Sequence, residues 1–390
     1  MIALGSAANK QFPIELEVLP IGESSGAKLK NFMSYSFDKN ILTPASAFRF
    51  TAGDTDFNVI SSIRSGDTVG LWVRNKSGEK NQIATGFVDE TDCHTSGEVE
   101  EFAVTGRDTI SQLVDNSAID SKNKIIMLSK ITLKNAALEL IKNTRMVQNI
   151  IDRSIPTGEL LFRTNPGETK ISALQRYLEY CNCLIWADVD GTAIIGKPRM
   201  HQASMGNLIC KKSDPKLNNV LDIRSRRNLT NAIRKIAVQL QTLSITDPTL
   251  STVENKGEEI LEKSNYLIGK SIYRTFTLGN GEDAVNQIYQ LGSNPTSNVI
   301  TNIGQALAAR EIAHSNMEIL DVTCVVKGHI NENGVPYDVD QVYTINYEKD
   351  DIDDDMYVYA VKYDLTEEHG MLTTLRLCKL YTIVADVRTT

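Results

Sequence analysis

The chain has 390 residues, 41% hydrophobic and 23% charged, with a formal net charge of −8. At about 100–200 residues per domain this length implies two to four domains, and the composition excludes a disordered chain. The acidic balance argues against a nucleic-acid grip, and no window approaches the roughly 18 apolar residues that span a bilayer. The start MIALGSAANKQFPIELEV shows no export signal, so a soluble, unexported chain is expected.

From Ile14 to Gly106 the apolar pattern has period two. Ile14, Leu16 and Val18, then Met33, Tyr35 and Phe37, then Val69, Leu71 and Val73 form short alternating runs bounded by Gly, Pro, Asn, Asp or Ser. Such runs read as a small antiparallel barrel, so residues 1–107 are expected to be a first β-barrel.

Residues 108–208 read as an α+β module. DTISQLVDNSAI predicts a short helix capped by Asp108. ITLKNAALELIKNT predicts a helix capped by Thr132, with Leu133, Ala136, Ala137, Leu140 and Ile141 on one face. A third helix after GET is capped by Thr169 and carries the stripe Ile171, Leu174, Leu178 and Cys181. LIWADVDGTAIIG predicts a hairpin turning at Asp190 and Gly191.

Strands return in NNVLDIRSR and AIRKIAVQLQ. The polar stretch LSITDPTLSTVENKGEEILEKSN and a helix with Ile303, Ala306, Leu307 and Ala313 make an insertion at 241–319. Strands resume from Val322 to Val387, so residues 209–240 and 320–390 are expected to form a second β-barrel. The expected fold class is α+β, β-rich and multidomain: two related small antiparallel β-barrels plus an α+β module.

An internal echo links the two β regions. GFVDETDCHTSGEVEEFAV (86–104) lies over YAVKYDLTEEHGMLTTLRL (359–377) without a gap. Val88 then meets Val361, Gly97 meets Gly370, Phe102 meets Leu375, and, further upstream, Asp67 meets Asp340. A duplication would give Val88 and Val361 equivalent positions, point Phe102 and Leu375 into a core, and place Gly97 and Gly370 in turns. Two unrelated hairpins are the competing reading.

The chain offers no enzyme signature. Asp350, Asp351, Asp353, Asp354 and Asp355 lack the alternating ligands, central Gly and closing Glu of a calcium loop, and the echo sets them opposite the polar loop 75–81, so they read as a solvated loop tip. DVDG at 188–191 is a hairpin turn. Cys181, Cys183, Cys210 and His201 fit no zinc module, and the six cysteines (93, 181, 183, 210, 324 and 378) have no disulfide spacing. Neither HExxH, a Walker loop nor a dinucleotide fingerprint occurs. No catalytic residue, metal or cofactor is therefore expected, and the short basic run Arg224, Arg226, Arg227 reads as a solvated strand or turn face.

Taken in order, VTGRDTISQLVDNSAI, TLKNAALELI, GETKISALQRYLEYCNCLIWADVDGTAIIGKP, LNNVLDIRSRRNLTNAIRKIAV and VVKGHINENGVPYDVDQVYTIN…MYVYAVKYDLTEEHGMLTTLRL resemble the baseplate hub proteins of Mu-like contractile-tailed phages. These are related to the hub of T-even phages and the base of type VI secretion spikes. The family's helix after GR commonly reads Asp-Leu-Val-Asp-Cys-Ser, whereas here Gln112 replaces the first Asp and Asn116 the Cys. The resemblance implies a structural homotrimer whose two barrels per subunit make six, joining a six-fold tail tube to a three-fold spike. The implied partners are further copies of the chain, the spike protein, and tube and other baseplate proteins, in a virion baseplate after synthesis in the host cytoplasm. Neither stable nucleic-acid binding nor membrane insertion is implied. A tail-associated cell-wall hydrolase and an oligonucleotide-binding barrel are the alternatives, against which stand the missing catalytic motifs and the scarcity of aromatics beside basic residues.

Overall fold

The structure, a computed structural model, describes residues 14–19, 27–29, 33–53, 63–75, 77–96, 100–154, 160–180, 182–241, 249–254, 270–277, 297–366, 368–380 and 382–383. Its first strands are β1 (Ile14–Leu19), β2 (Ala27–Leu29), β3 (Ser34–Asn40), β4 (Ala47–Gly53), β5 (Thr68–Arg74), β6 (Lys80–Thr95) and β7 (Glu100–Asp108). The module follows with α1 (Ser111–Asp115), β8 (Met127–Ile131), α2 (Leu133–Ile141), β9 (Ile150–Arg153), β10 (Leu160–Arg163), α3 (Lys170–Tyr180), β11 (Leu184–Ala187) and β12 (Ala193–Gly196). The remainder comprises β13 (Asn207–Cys210), β14 (Val220–Arg226), β15 (Ile233–Gln241), β16 (Thr249–Glu254), β17 (Lys270–Thr277), α4 (Ser297–Asn316), β18 (Asp321–Lys327), β19 (Gln341–Tyr347), β20 (Ile352–Thr366) and β21 (Gly370–Lys379).

The alternating runs are strands because alternate residues share a face. Ile14, Leu16, Val18, Tyr35, Phe37, Val69, Leu71 and Val73 are all buried, while Met33, just ahead of β3, is exposed. The two expected barrels are replaced by one open sheet of 13 strands, ordered β14-β18-β21-β20-β3-β4-β7-β6-β5-β1-β2, with β19 beside β20 and β13 beside β19. No closed barrel forms among the described residues. The reason is long-range: β3 pairs with β20, so the two halves run into one sheet over a single apolar core.

Within that sheet a unit of five strands occurs twice. The first copy has the lateral order β3-β4-β7-β6-β5 and the second β14-β18-β21-β20, with β19 completing it beside β20. Three local features mark equivalent positions. A bulge follows Val88 in β6 and Val358 in β20. A positive-φ residue, Gly66 or Asp340, donates its N–H to the carbonyl of that valine at 2.7 and 3.0 Å. An asparagine closes β3 and another stands two residues past the end of β14, each accepting from the backbone two residues on: Asn40 from Leu42 at 2.9 Å, Asn228 from Thr230 at 3.0 Å.

These features correct the gapless register. Val88 corresponds to Val358 and not to Val361, which matches Thr91; Leu375 matches Val104 and not Phe102. The stretch from Gly66 to Val88 is longer than that from Asp340 to Val358, and a further bulge at Leu71/Trp72 takes up part of the difference.

The module has its own core around α2 and α3. Thr132 accepts from the Asn135 N–H and Thr169 from the Ser172 N–H, both at 3.3 Å, as N-caps. Asp108 does not cap α1: its carboxylate takes the N–H groups of Ser46 and Ile110, which ties the turn before β4 to the end of β7. The strand expected in the second barrel at 233–241, β15, instead lies between β16 and β17 in a separate sheet, covered by α4. Leu307 and Ala313 of that helix are buried.

Close backbone approach leaves no room for a side chain at Gly106. A Cβ on Gly106 in β7 would stand 2.2 Å from the Phe87 carbonyl oxygen and 2.3 Å from Cζ of Phe48. Gly106→Ala is expected to cost about 1–3 kcal/mol as overpacking, read as a lowered midpoint in thermal denaturation; an unchanged midpoint would contradict this packing.

Candidate assembly surface

The union of the two units is the most elaborated polar site in the molecule. Residues Asn40 to Tyr35 of β3 run antiparallel along Ala360 to Leu365 of β20, which stands clear of β19 there. Phe37 and Tyr363 face each other across this joint with rings stacked at 5.8 Å, and Lys362 stands opposite Asp38. Lys39, buried, forms an ion pair with Asp338 at 2.9 Å.

Beneath the joint lies His329, fully buried. The Tyr35 hydroxyl donates to its Nε2 at 2.6 Å, its Nδ1–H donates to Thr373 Oγ1 at 2.8 Å, and Thr373 donates to the Gly328 carbonyl at 2.6 Å. This chain assigns the neutral tautomer. Burial pushes the imidazole down to about 3.

A second polar centre fastens the module to the second unit. The buried carboxylate of Asp340 takes Arg153 Nη1 at 2.7 Å, Arg199 Nε at 2.9 Å, the Arg199 backbone N–H at 2.7 Å and the Tyr357 hydroxyl at 3.0 Å. Gln202 donates to the Asp340 carbonyl. On the other side of the module, Thr109 donates to the Gly191 carbonyl at 2.8 Å and Thr85 to that of Val189 at 2.9 Å. The hairpin at Asp190 and Gly191 thus docks on the first unit. Sequence reading missed Asp338, His329 and Lys39 and took Asp340 only as an alignment position; its one local signal is a left-handed φ of 60° at a residue other than Gly.

Two edges of the sheet stand open among the described residues. β14 pairs with β18 on one side only, leaving Asp222, Arg224 and Arg226 exposed and Leu221 62% exposed. The second half of β6 pairs with β7 on one side, while β5 stops at Phe87 on the other. That edge carries the exposed Glu90, Asp92, Cys93 and His94.

The residues singled out in the echo lie as follows. Val88, Phe102, Val361 and Leu375 are all buried, Phe102 and Leu375 in the same core. Gly370 opens β21 at φ 69°. Gly97 lies outside the described residues, as does Cys181. Cys183 packs in the module core, away from the exposed His201, and Cys210 is half-buried. Burial pushes the Cys183 thiol up to about 11 and those of Cys324 and Cys378 up to about 12. Asp350 and Asp351 form the turn between β19 and β20, and Asp353, Asp354 and Asp355 begin β20 as exposed residues. Asp350 pairs with Arg227 at 3.3 Å, Asp354 with Lys379 at 3.5 Å, and Asp355 accepts from Thr344 at 2.6 Å. No group of three or more His, Cys, Asp or Glu able to hold a metal ion occurs among the described residues. No helix among them is long and apolar enough to cross a membrane.

This fold is similar along nearly the whole chain to those of two tail proteins, one of them from a prophage, and of a type VI secretion system component. The tail protein from Neisseria meningitidis MC58 matches with a TM-score of 0.72 at 17% identity, over 96% of this chain and 99% of that one. The 43 kDa tail protein of prophage MuSo2 from Shewanella oneidensis matches with a TM-score of 0.69 at 16% identity, over 95% and 99%. An E. coli component of the type VI secretion system, described as structurally similar to two T4 bacteriophage tail proteins, matches at 0.51 and 8% identity, over 93% and 76%. More narrowly, residues 22–108, which contain the first five-strand unit, match the family model described as Mu phage baseplate assembly protein GpP-like, N-terminal. No curated protein sequence matches the chain.

Because His329 protonates near 6.5 when unfolded and near 3 when folded, its contribution is complete above about pH 6.5 and declines below it. The expected loss is up to about 1.4 kcal/mol per pH unit, so the melting temperature of the wild type should fall more steeply between pH 6.5 and 4.5 than that of His329→Gln. Equal slopes would remove His329 from the account. For the Asp350–Asp355 turn, micromolar calcium is expected to leave the melting temperature unchanged; a saturable rise would identify a metal site there.

Proposed function

We propose that this chain is the hub subunit of a contractile-tail baseplate, a structural protein without catalytic activity. The observation that carries the reading is the five-strand unit present twice in one continuous sheet, in a chain whose fold matches phage tail proteins end to end. The match of residues 22–108 to a Mu baseplate assembly family supports it independently of overall shape. Three such chains set six like units around one axis, and duplication within a chain is the economical way to fit a three-fold spike to a six-fold tube. The two units, though not closed barrels, serve the domain roles expected of residues 1–107 and of 209–240 with 320–390. The 108–208 module and the 241–319 insertion are outgrowths carried on the ring. The partners of this reading are two further copies, the spike protein below, and tube and other baseplate proteins above. Its place is the virion baseplate, reached after synthesis in the host cytoplasm.

Light scattering on the purified protein is expected to give three times the 43.2 kDa chain mass at a concentration where exchange is complete. Monomer or dimer at every concentration would tell against the ring.

A further inference from the structure

We infer that copies of this chain join edge to edge, with β14 of one copy adding antiparallel to the open second half of β6 in the next, in the register that β3 adopts on β20 within the chain. The inference rests on the repeat itself; only its closure at three copies rests on the hub reading.

Each strand at the internal joint has a counterpart at an open edge. β20 is the fourth strand of the second unit, and its counterpart is β6, the fourth strand of the first. Beyond the bulge, where β20 receives β3, β6 receives nothing among the described residues. β3 is the first strand of its unit, and its counterpart is β14, whose outer edge is open among the described residues. A single chain therefore holds one filled joint and the two halves of a second, and the halves belong on different copies. A sheet edge left bare presents a row of unpaired N–H and C=O groups and invites strand addition.

The side chains agree with this pairing. The bulge after Val88 and Val358, with the matching β4 and β18 registers, aligns Cys93 with Tyr363 and Ser225 with Phe37. Asp92 then takes the place of Lys362, and Arg226 the place of Asp38. The opposed pair Lys362/Asp38 of the internal joint thus becomes Asp92/Arg226 between copies, with both signs reversed and attraction kept. Neither Glu90, Asp92, Arg224 nor Arg226 has an ion-pair partner among the described residues. The one concentrated basic run of the sequence lies on β14, and an acidic edge lies on β6. Ile223 and Ser225, matching the buried Tyr35 and Phe37, are only half-buried in the single chain. Arg227, which stands where Lys39 does, is held by Asp350 of its own chain. Because the two edges differ, the contact is head to tail and closes only through a rotation symmetry.

The test uses the full chain. Ser225→Cys should become linked to the native, exposed Cys93 of the next copy, by mild oxidation or by a short bis-maleimide that spans a wider gap, giving covalent dimer and trimer on a non-reducing gel. Adding Cys93→Ser should abolish the ladder. Arg226→Glu should weaken self-association by at least about tenfold, and Asp92→Arg in the same chain should restore it. A trimer by light scattering in which Cys93 stays unlinked and Arg226→Glu is silent would overturn this pairing while sparing the hub reading. Cross-linked species running past trimer would uphold the pairing and overturn the three-fold ring. A monomer throughout, with no cross-link, would overturn both.

Discussion

A strand edge inside a large sheet must be paired, covered or blunted, and the upper half of β20 is such an edge. Beyond the end of β19 its backbone has no neighbour from its own unit, and β3 supplies one. That single antiparallel pairing makes the molecule one sheet instead of two. It also shares the core: Tyr35 and Phe37 of the first unit are buried together with Tyr363, Val361 and Leu375 of the second. Without it, the aromatic faces of both units would meet water, at a cost of roughly 1.5–3 kcal/mol per large side chain.

The joint is unusually polar for a buried seam, and its polar groups set its register. The Lys39–Asp338 pair and the Tyr35–His329–Thr373–Gly328 chain are satisfied at every member, the condition under which a buried network specifies structure. A slip of one residue would turn Phe37 and Tyr35 to the opposite face and bring Asp38 where Lys39 belongs. An ion pair of this kind adds little net stability, because desolvation opposes the attraction. Its consequence here is alignment, and Asp340 plays the same part where the module meets the second unit.

The two units differ most in what has been placed between their strands. A short turn from Asn40 leads to β4 in the first, whereas in the second the separate sheet of β15, β16 and β17, with α4, enters directly after Asn228. Both departures begin with the same side-chain turn. Closing a longer loop costs only slowly more entropy, so an insertion at a surface turn leaves the flanking strand pairs intact. The copies consequently keep their strand register while presenting different surroundings.

Local patterning alone was enough for the elements with local causes. The helices α2 and α3 and their threonine caps, the turn at Gly191, and the alternating strands β1, β3 and β5 follow from side-chain chemistry acting within a few residues. The duplication was legible too, as a strand, a loop and two strands at 67–104 and again at 340–377. Its register was not, because bulges and a longer hairpin shift one strand against another without leaving a mark that gapless comparison detects. The pairing of β3 with β20, and with it the open sheet in place of two barrels, was beyond local reading altogether. It depends on which edge remains unpaired once every other strand has found a neighbour, and residues as distant as Lys39 and Asp338 acquire their roles only when the folded chain brings them together.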